Sequence, residues 1–72
     1  MSEIRSQIDG EFNGTDDEVV YKLMNGQVWQ QIGYRYRYHY LYMPAVQIVR
    51  EPSGYVMHVS GFPEPIPVRQ IS

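Results

Sequence analysis

Residues 34–42 have the sequence Tyr-Arg-Tyr-Arg-Tyr-His-Tyr-Leu-Tyr, with a tyrosine at every second position. Successive side chains of an extended strand point to opposite faces, so a period of two predicts a β-strand. One face of this strand would carry the tyrosine ladder, which we define as Tyr34, Tyr36, Tyr38, Tyr40 and Tyr42. The opposite face would carry Arg35, Arg37, His39 and Leu41. The stretch therefore predicts both a long strand and a candidate binding surface.

Short strand-like runs, separated by turn residues, flank the tyrosine ladder on both sides. Residues 7–12, 18–24, 45–50 and 55–59 are the predicted strands, and residues 13–17 are a predicted loop. Short strands separated in this way are typical of an all-β barrel or sandwich. The predicted core residues of the first strand are Ile8 and Phe12. One face of the strand 55–59 would carry Tyr55, Met57 and Val59.

Asn25-Gly26 is the strongest turn signal in the chain. Asn-Gly between two strand-like runs favours a two-residue type I′ hairpin, because both residues tolerate positive φ. That turn would place Lys22 opposite Trp29 and would set the register of the whole hairpin. The predicted core face then holds Val19, Tyr21, Leu23, Val28 and Ile32. Trp29 falls on the polar face, where it is either partly exposed or covered by a second layer.

Gly33 leaves two arrangements open for the tyrosine ladder. If the alternation continues through Gly33, the tyrosines share the face of Ile32 and the arginines point to water. If Gly33 forms a bulge, the tyrosines point outward instead. Five tyrosines are too many to bury in a small domain, since each buried hydroxyl needs a partner. We therefore expect a strand that starts in the core and runs off its end.

Prolines occupy every second position near the C-terminus, at Pro63, Pro65 and Pro67. In an extended chain all three missing N–H donors would lie on one side of the strand. Such a segment can pair fully only along its other side, so the pattern predicts an edge strand that resists aggregation.

The composition is that of one small domain over residues 1–72, with an ordered core at about residues 6–71. The chain has no cysteine, which excludes a disulfide scaffold and a cysteine-ligated zinc site. The absence of cysteine also predicts a location in the reducing cytoplasm. No apolar run has the length of a membrane span, and the N-terminus lacks the apolar run of a signal peptide. The net charge of −2 lacks the basic excess typical of nucleic-acid-binding domains.

No residue pattern indicates catalysis or a cofactor. The serines and the single threonine have no base placed beside them by any motif. His39 and His58 are the only histidines, and two histidines without patterned carboxylates make a poor metal site. We therefore expect a protein that is not an enzyme and that uses no metal or cofactor.

Four segments carry a resemblance to a known family: Glu11-Phe12-x-Gly14, the run Val-Tyr-Lys-Leu-x-Asn-Gly-Gln-Val-Trp-Gln-Gln over residues 20–31, the alternating tyrosines that end at Met43-Pro44, and Gly54-Tyr55. Together they resemble a small bacterial family of uncharacterised proteins that are similar in organisation to SH3-like barrels. The resemblance covers roughly residues 7–71. It implies an all-β, SH3-like barrel of about five antiparallel strands and a bacterial origin, and it implies no activity.

Two functions and one purely structural role remain for the aromatic strand. The first function is a protein- or peptide-interaction module, because tyrosine and tryptophan dominate interface hot spots. The alternative is single-stranded nucleic-acid binding, in which tyrosines stack on bases and arginines neutralise phosphates. The structural role is sheet stabilisation through cross-strand aromatic pairs. Self-association is a further use of the same surface. The predicted binding residues are Trp29, Tyr34, Arg35, Tyr36, Arg37, Tyr38, His39 and Tyr40.

Overall fold

The computed structural model describes residues 3–72, and that part of the chain is built from strands and turns without a helix. The eight strands are β1 Glu3–Gln7, β2 Glu11–Asp17, β3 Val20–Lys22, β4 Val28–Gln31, β5 Tyr34–Tyr42, β6 Ala45–Glu51, β7 Gly54–Val59 and β8 Ile66–Gln70. The all-β prediction is confirmed, with eight strands in place of about five. Within residues 3–72 no helix is long and apolar enough to cross a membrane.

Six strands form one antiparallel sheet in the order β1-β6-β7-β8-β4-β3. The two outer strands of this sheet approach each other, and Ile8 forms an isolated bridge with Leu23. Two backbone hydrogen bonds form this bridge, from Asp9 N to Lys22 O and from Met24 N to Gln7 O, each 2.8 Å long. The sheet is therefore curled into a half-barrel. Strands β2 and β5 pair separately as a two-stranded ribbon.

The core is one cluster of apolar side chains between the curled sheet and the ribbon. Its most buried members are Trp29, Phe12, Ile48, Met57, Ile66 and Val68. Phe12 stacks on Tyr21 with ring centroids 5.8 Å apart and meets Phe62 edge-on at 5.3 Å. Ile8 and Phe12 are buried as predicted. Met57 and Val59 are buried on the predicted face of β7, and Tyr55 of the same face is partly buried against the core.

The β3–β4 hairpin lies where Asn25-Gly26 predicts it, but its register differs by one residue. Tyr21 pairs with Trp29 and Lys22 with Val28, so the predicted pairing of Lys22 with Trp29 is wrong. The loop has three residues, 24–26, because Gly26 N donates to Leu23 O at 3.1 Å and Leu23 N donates to Gln27 O at 2.9 Å. Only Gly26 has positive φ in this loop, at +92°, as in a type I turn that ends in a left-handed glycine.

This one-residue difference moves every β4 side chain to the opposite face. Trp29 is completely buried, with no exposed surface, and the prediction that it lies on the polar face is wrong. Ile32, predicted for the core, is 49% exposed. Tyr21 and Leu23 are buried as predicted, because their own strand kept its parity.

The N-terminal strand assignments also differ in detail. The predicted strand 7–12 is a corner, since β1 ends at Gln7 and β2 begins at Glu11. Residues 13–17, predicted as a loop from their Asn, Gly and Asp content, belong to β2 and pair with β5. The pairing of β2 with β5 contains two register shifts, one between Phe12 and Gly14 and one between Thr15 and Asp17. Such shifts let a strand stay paired although its residues do not alternate regularly. Pairing with β5 therefore overrides the low strand propensity of these residues.

The proline segment is not an edge strand, because β8 lies between β7 and β4. Pro63 and Pro65 precede the strand, and only Pro67 lies within it. Pro67 O accepts a hydrogen bond from Ile32 N at 2.8 Å, so the missing N–H of Pro67 also faces the β4 side. Strand β4 ends at Gln31, one residue earlier. The proline therefore removes a hydrogen bond only where its neighbouring strand has already ended.

Candidate functional site

All five residues of the tyrosine ladder are exposed on the outer face of β5. Each of them keeps between 49% and 70% of its accessible surface. The alternation runs unbroken from β4 through Gly33, because Trp29 and Gln31 point inward while Ile32 and Tyr34 point outward. The tyrosines therefore do share the face of Ile32, but the hairpin register makes this the exposed face.

The inner face of β5 changes from apolar to charged along the strand. Leu41 packs against the core, and His39 is half-buried with its ring edge-on to Phe62 at 5.9 Å. The Arg37 guanidinium lies 6.0 Å from the centre of the same Phe62 ring. The end of β5 that carries Leu41 is thus anchored in the core, and the end that carries Arg35 extends beyond it.

Glu64 forms salt bridges with both arginines of this inner face, Arg35 and Arg37. The Arg35 Nε atom lies 2.9 Å from Glu64 Oε1, and the Arg37 Nη1 atom lies 2.9 Å from Glu64 Oε2. The hydrogen bond from Arg35 is the main reason why the pKa of Glu64 lies below its ordinary value, and the charges of both arginines add to it. Arg35 and Arg37 therefore face away from the tyrosine ladder and are partly neutralised.

Strand β2 places carboxylates at both ends of the tyrosine ladder. Glu11 is directly opposite Tyr42, and Asp17 is directly opposite Tyr34. Residues directly opposite each other in an antiparallel pair share a face of the sheet. The outer face of the ribbon is therefore aromatic in the middle and acidic at its two ends.

Gly14 lies in close contact with the backbone of β5. It has φ +93°, and a Cβ atom at this position would lie 2.0 Å from Arg37 O and 2.9 Å from His39 N. On the core side, the Tyr21 hydroxyl donates to Gly14 O at 3.0 Å. Burial of Tyr21 raises the pKa of its phenol, so the hydroxyl stays protonated and keeps this bond across the physiological range.

A cavity of about 270 Å³ lies beneath the start of β5, between it and the proline segment. Thr15, Gln31 and Phe62 are among the residues that line it. Gln31 Oε1 accepts from Asp16 N at 3.1 Å. The Thr15 hydroxyl is buried and has no hydrogen-bond partner among residues 3–72. A buried hydroxyl without a partner costs free energy of folding.

Thr15→Val is therefore expected to raise the free energy of unfolding by about 1 kcal/mol, because valine has nearly the same shape and no group to desolvate. Urea denaturation followed by circular dichroism measures the change. Thr15→Ser serves as the control, since it keeps the hydroxyl, removes a methyl group and should destabilise. A Thr15→Val protein less stable than the wild type would show that the hydroxyl has a partner after all.

The structure brings together only part of the predicted site. Tyr34, Tyr36, Tyr38 and Tyr40 share the outer face, and Tyr42 extends the same face. Arg35, Arg37 and His39 lie on the opposite side of the strand, and Trp29 is in the core. Glu11 and Asp17 were missed as site residues, because only the pairing of β2 with β5 places them beside the tyrosines.

The titratable residues of the described part of the chain show no arrangement suited to a metal. Among residues 3–72 no three histidine, aspartate or glutamate side chains are grouped to hold an ion. His39 packs on Phe62, and His58 is exposed on β7 opposite Gln47. Each histidine therefore has its own separate surroundings.

Comparisons of the chain with protein-family models, with curated proteins and with solved structures found no match in any of the three. The resemblance to a bacterial family of SH3-like barrels therefore stays a prediction, and the proposed function depends on the geometry of the ribbon.

Proposed function

We propose that this protein is a non-enzymatic protein-interaction module whose tyrosine ladder binds an extended, basic segment of a partner. The observation that carries the proposal is the exposure of all five tyrosines on one face of one strand. Tyrosine supplies a large, rigid contact area that loses little side-chain entropy on binding. A row of such rings, at alternate positions of a strand, matches the repeat of an extended peptide.

The cross-strand neighbours of the tyrosines support binding over sheet stabilisation. A ladder that stabilises its own sheet needs aromatic or β-branched partners directly opposite. Tyr42, Tyr38 and Tyr34 instead face Glu11, Gly14 and Asp17. No aromatic pair forms across this ribbon in the described part of the chain, so the rings are available to another molecule.

The charge of the outer face selects the chemistry of the partner. Glu11 and Asp17 attract lysine and arginine side chains to the two ends of the ladder. The faces of the tyrosine rings also attract cations. A partner segment with alternating basic residues would thus place its charges over the rings and beside the carboxylates.

Single-stranded nucleic-acid binding is the second candidate, and we rank it lower. Stacking of bases on the tyrosines remains geometrically open. However, the arginines that would neutralise the phosphates lie on the other face, where Glu64 holds them. The carboxylates beside the ladder would repel a phosphate backbone.

We also propose that the fold is an SH3-like barrel, in which the curled six-stranded sheet and the β2–β5 ribbon together enclose the core. The curl of the sheet and the Ile8–Leu23 bridge between its outer strands support this description. On this proposal the protein is bacterial and cytoplasmic.

Titration of the ¹⁵N-labelled protein with an alternating Arg-Val peptide tests the proposed function, with a Glu-Val peptide of equal length as its control. We expect the Arg-Val peptide to shift the amide signals of β5 and the Glu-Val peptide to leave them unchanged.

The variant Tyr38→Ala tests the role of the rings. It should weaken binding of the Arg-Val peptide about tenfold, the size of a hot-spot loss. It should leave the melting midpoint nearly unchanged, because Tyr38 is exposed. His58→Ala, on another surface, should change neither property. Equal shifts with both peptides, or unfolding of Tyr38→Ala, would contradict the proposal.

A further inference from the structure

Strand β5 is paired along one edge only. It forms backbone hydrogen bonds with β2, and no other strand of residues 3–72 pairs with it. Arg37 O and His39 N both lie close to Gly14, so these groups point toward β2. Met43 N, just beyond the strand, also points this way and donates to Gly10 O at 2.8 Å. The odd-numbered backbone groups of this stretch therefore face β2.

The backbone groups of the tyrosine ladder consequently face the opposite edge, because N–H and C=O groups alternate from residue to residue along a strand. Five amides and five carbonyls are thus presented in one row, one pair from each tyrosine from Tyr34 to Tyr42. Such a row is a template for a further strand.

This edge has little of the usual protection against pairing. Proteins block exposed edges with proline, with charged side chains, with bulges or by keeping the strand short. Strand β5 has nine residues and contains neither proline nor lysine, and Glu64 binds its two arginines on the inner face. The outer strands of the six-stranded sheet are shorter, with five residues in β1 and three in β3, and they meet at the Ile8–Leu23 bridge. The long edge of β5 is therefore the place where this fold accepts another strand.

We propose that two copies of this chain pair through β5 as an antiparallel, two-fold symmetric dimer with its axis at Tyr38. In this register Tyr38 faces its own counterpart, Tyr36 faces Tyr40 of the second copy, and Tyr34 faces Tyr42. Every tyrosine then forms a hydrogen-bonded pair that is also a cross-strand aromatic pair. On the inner face Arg35 meets Leu41 and Arg37 meets His39, so no arginine opposes an arginine.

The dimer closes on itself, because each copy contributes the same edge of one strand. The inference goes beyond the proposed function, since it concerns the edge of β5 while the peptide would bind the face. The two are compatible, because pairing at the edge joins two tyrosine ladders into one larger aromatic face.

Cysteine crosslinking tests the register, because the chain has no cysteine of its own. Tyr38→Cys should form a disulfide-linked dimer on mild oxidation, since Cα atoms of a hydrogen-bonded pair are about 5.5 Å apart, within the range of a disulfide. Tyr34→Cys alone and Tyr42→Cys alone should not crosslink, because each thiol would lie about 26 Å from its counterpart. An equimolar mixture of these two variants should crosslink.

Two substitutions at Tyr38 distinguish the contribution of the backbone edge to the dimer from the contribution of the tyrosine ring. Tyr38→Pro and Tyr38→Ala both remove the phenol, but only proline removes the N–H that faces the free edge. In sedimentation velocity we expect wild type to reach twice its mass of 8.5 kDa. Tyr38→Ala removes one aromatic pair and should raise the dissociation constant of the dimer by at most about fivefold. Tyr38→Pro should raise it at least about tenfold.

Three results would overturn the inference. A wild-type monomer at about 1 mM would do so, as would equal weakening by alanine and proline, or crosslinking of all three cysteine variants alike. None of these removes the proposed function, which the peptide titration decides separately. If Tyr38→Pro does not fold, the crosslinking pattern decides the inference alone.

Discussion

Gly14→Ala is expected to abolish the folded state of this protein. A methyl group at this position would lie 2.0 Å from Arg37 O and 2.9 Å from His39 N, both of which are backbone atoms of β5. Backbone of a paired strand cannot move aside as a flexible side chain can, so β2 and β5 would have to separate. Separation would also break the bond from the Tyr21 hydroxyl to Gly14 O.

The size of this effect follows from the small total stability of the domain. A chain of this length has a free energy of unfolding of roughly 4–10 kcal/mol. The positive φ of Gly14 alone costs alanine about 1–2 kcal/mol, and the clash adds several more. We therefore expect Gly14→Ala to lack dispersed amide signals in NMR and to show no cooperative transition in urea.

Gly26→Ala is a closely matched control for the clash. Gly26 has φ +92°, against +93° at Gly14, but open space surrounds its Cβ position. This variant should keep the fold and lose only about 1–2 kcal/mol, the conformational cost alone. Equal stability losses at the two glycines would show that β2 and β5 are not in close contact, and the site geometry would then have to be revised.

Trp29→Ala is expected to lower the free energy of unfolding by about 3–5 kcal/mol. The indole is completely buried and packs edge-on against Tyr55, with ring centroids 5.2 Å apart. Its Nε1 donates to Gln27 Oε1 at 3.2 Å, so its polar atom is satisfied. Removal leaves a large cavity in a core too small to refill it.

Urea denaturation followed by far-ultraviolet circular dichroism measures this loss, because Trp29 is the single tryptophan and its fluorescence disappears with it. Trp29→Phe should recover part of the stability, since a smaller ring still fills part of the space. Tyr38→Ala removes an exposed ring and should cost almost nothing. A loss below about 1 kcal/mol for Trp29→Ala would show that the side chain is exposed and that the two-residue turn is correct.

The fold class could be predicted from the sequence because strand signals are local. The alternation over residues 34–42 specifies an extended strand, and its two faces separate the tyrosines from the arginines as predicted. The position of the β3–β4 turn and the strands β6 and β7 follow from turn residues and short apolar runs in the same way. Neighbours in the chain decide these features, so no knowledge of the rest of the molecule is needed.

Which side chains of each strand point into the core could not be predicted with the same success. Asn25-Gly26 fits a two-residue turn and a three-residue loop equally well as a sequence, and the difference of one residue decides whether Trp29 or Val28 enters the core. The burial of Trp29, the largest side chain of the core, accompanies the longer loop. The parity of β4 then continues into β5 and turns the tyrosine ladder outward.

The sequence by itself thus determined the all-β class, the strands β5, β6 and β7, and the division of β5 into an aromatic and a basic face. It also identified half of the twelve buried apolar residues that form the core within residues 3–72. Tertiary structure alone decided that the aromatic face is exposed, that Glu64 holds the arginines, and that Glu11 and Asp17 flank the ladder. It also placed the proline segment inside the sheet. The physical reason is that strand propensity depends on adjacent residues, whereas the facing and pairing of strands depend on which arrangement buries the most apolar surface of the whole chain.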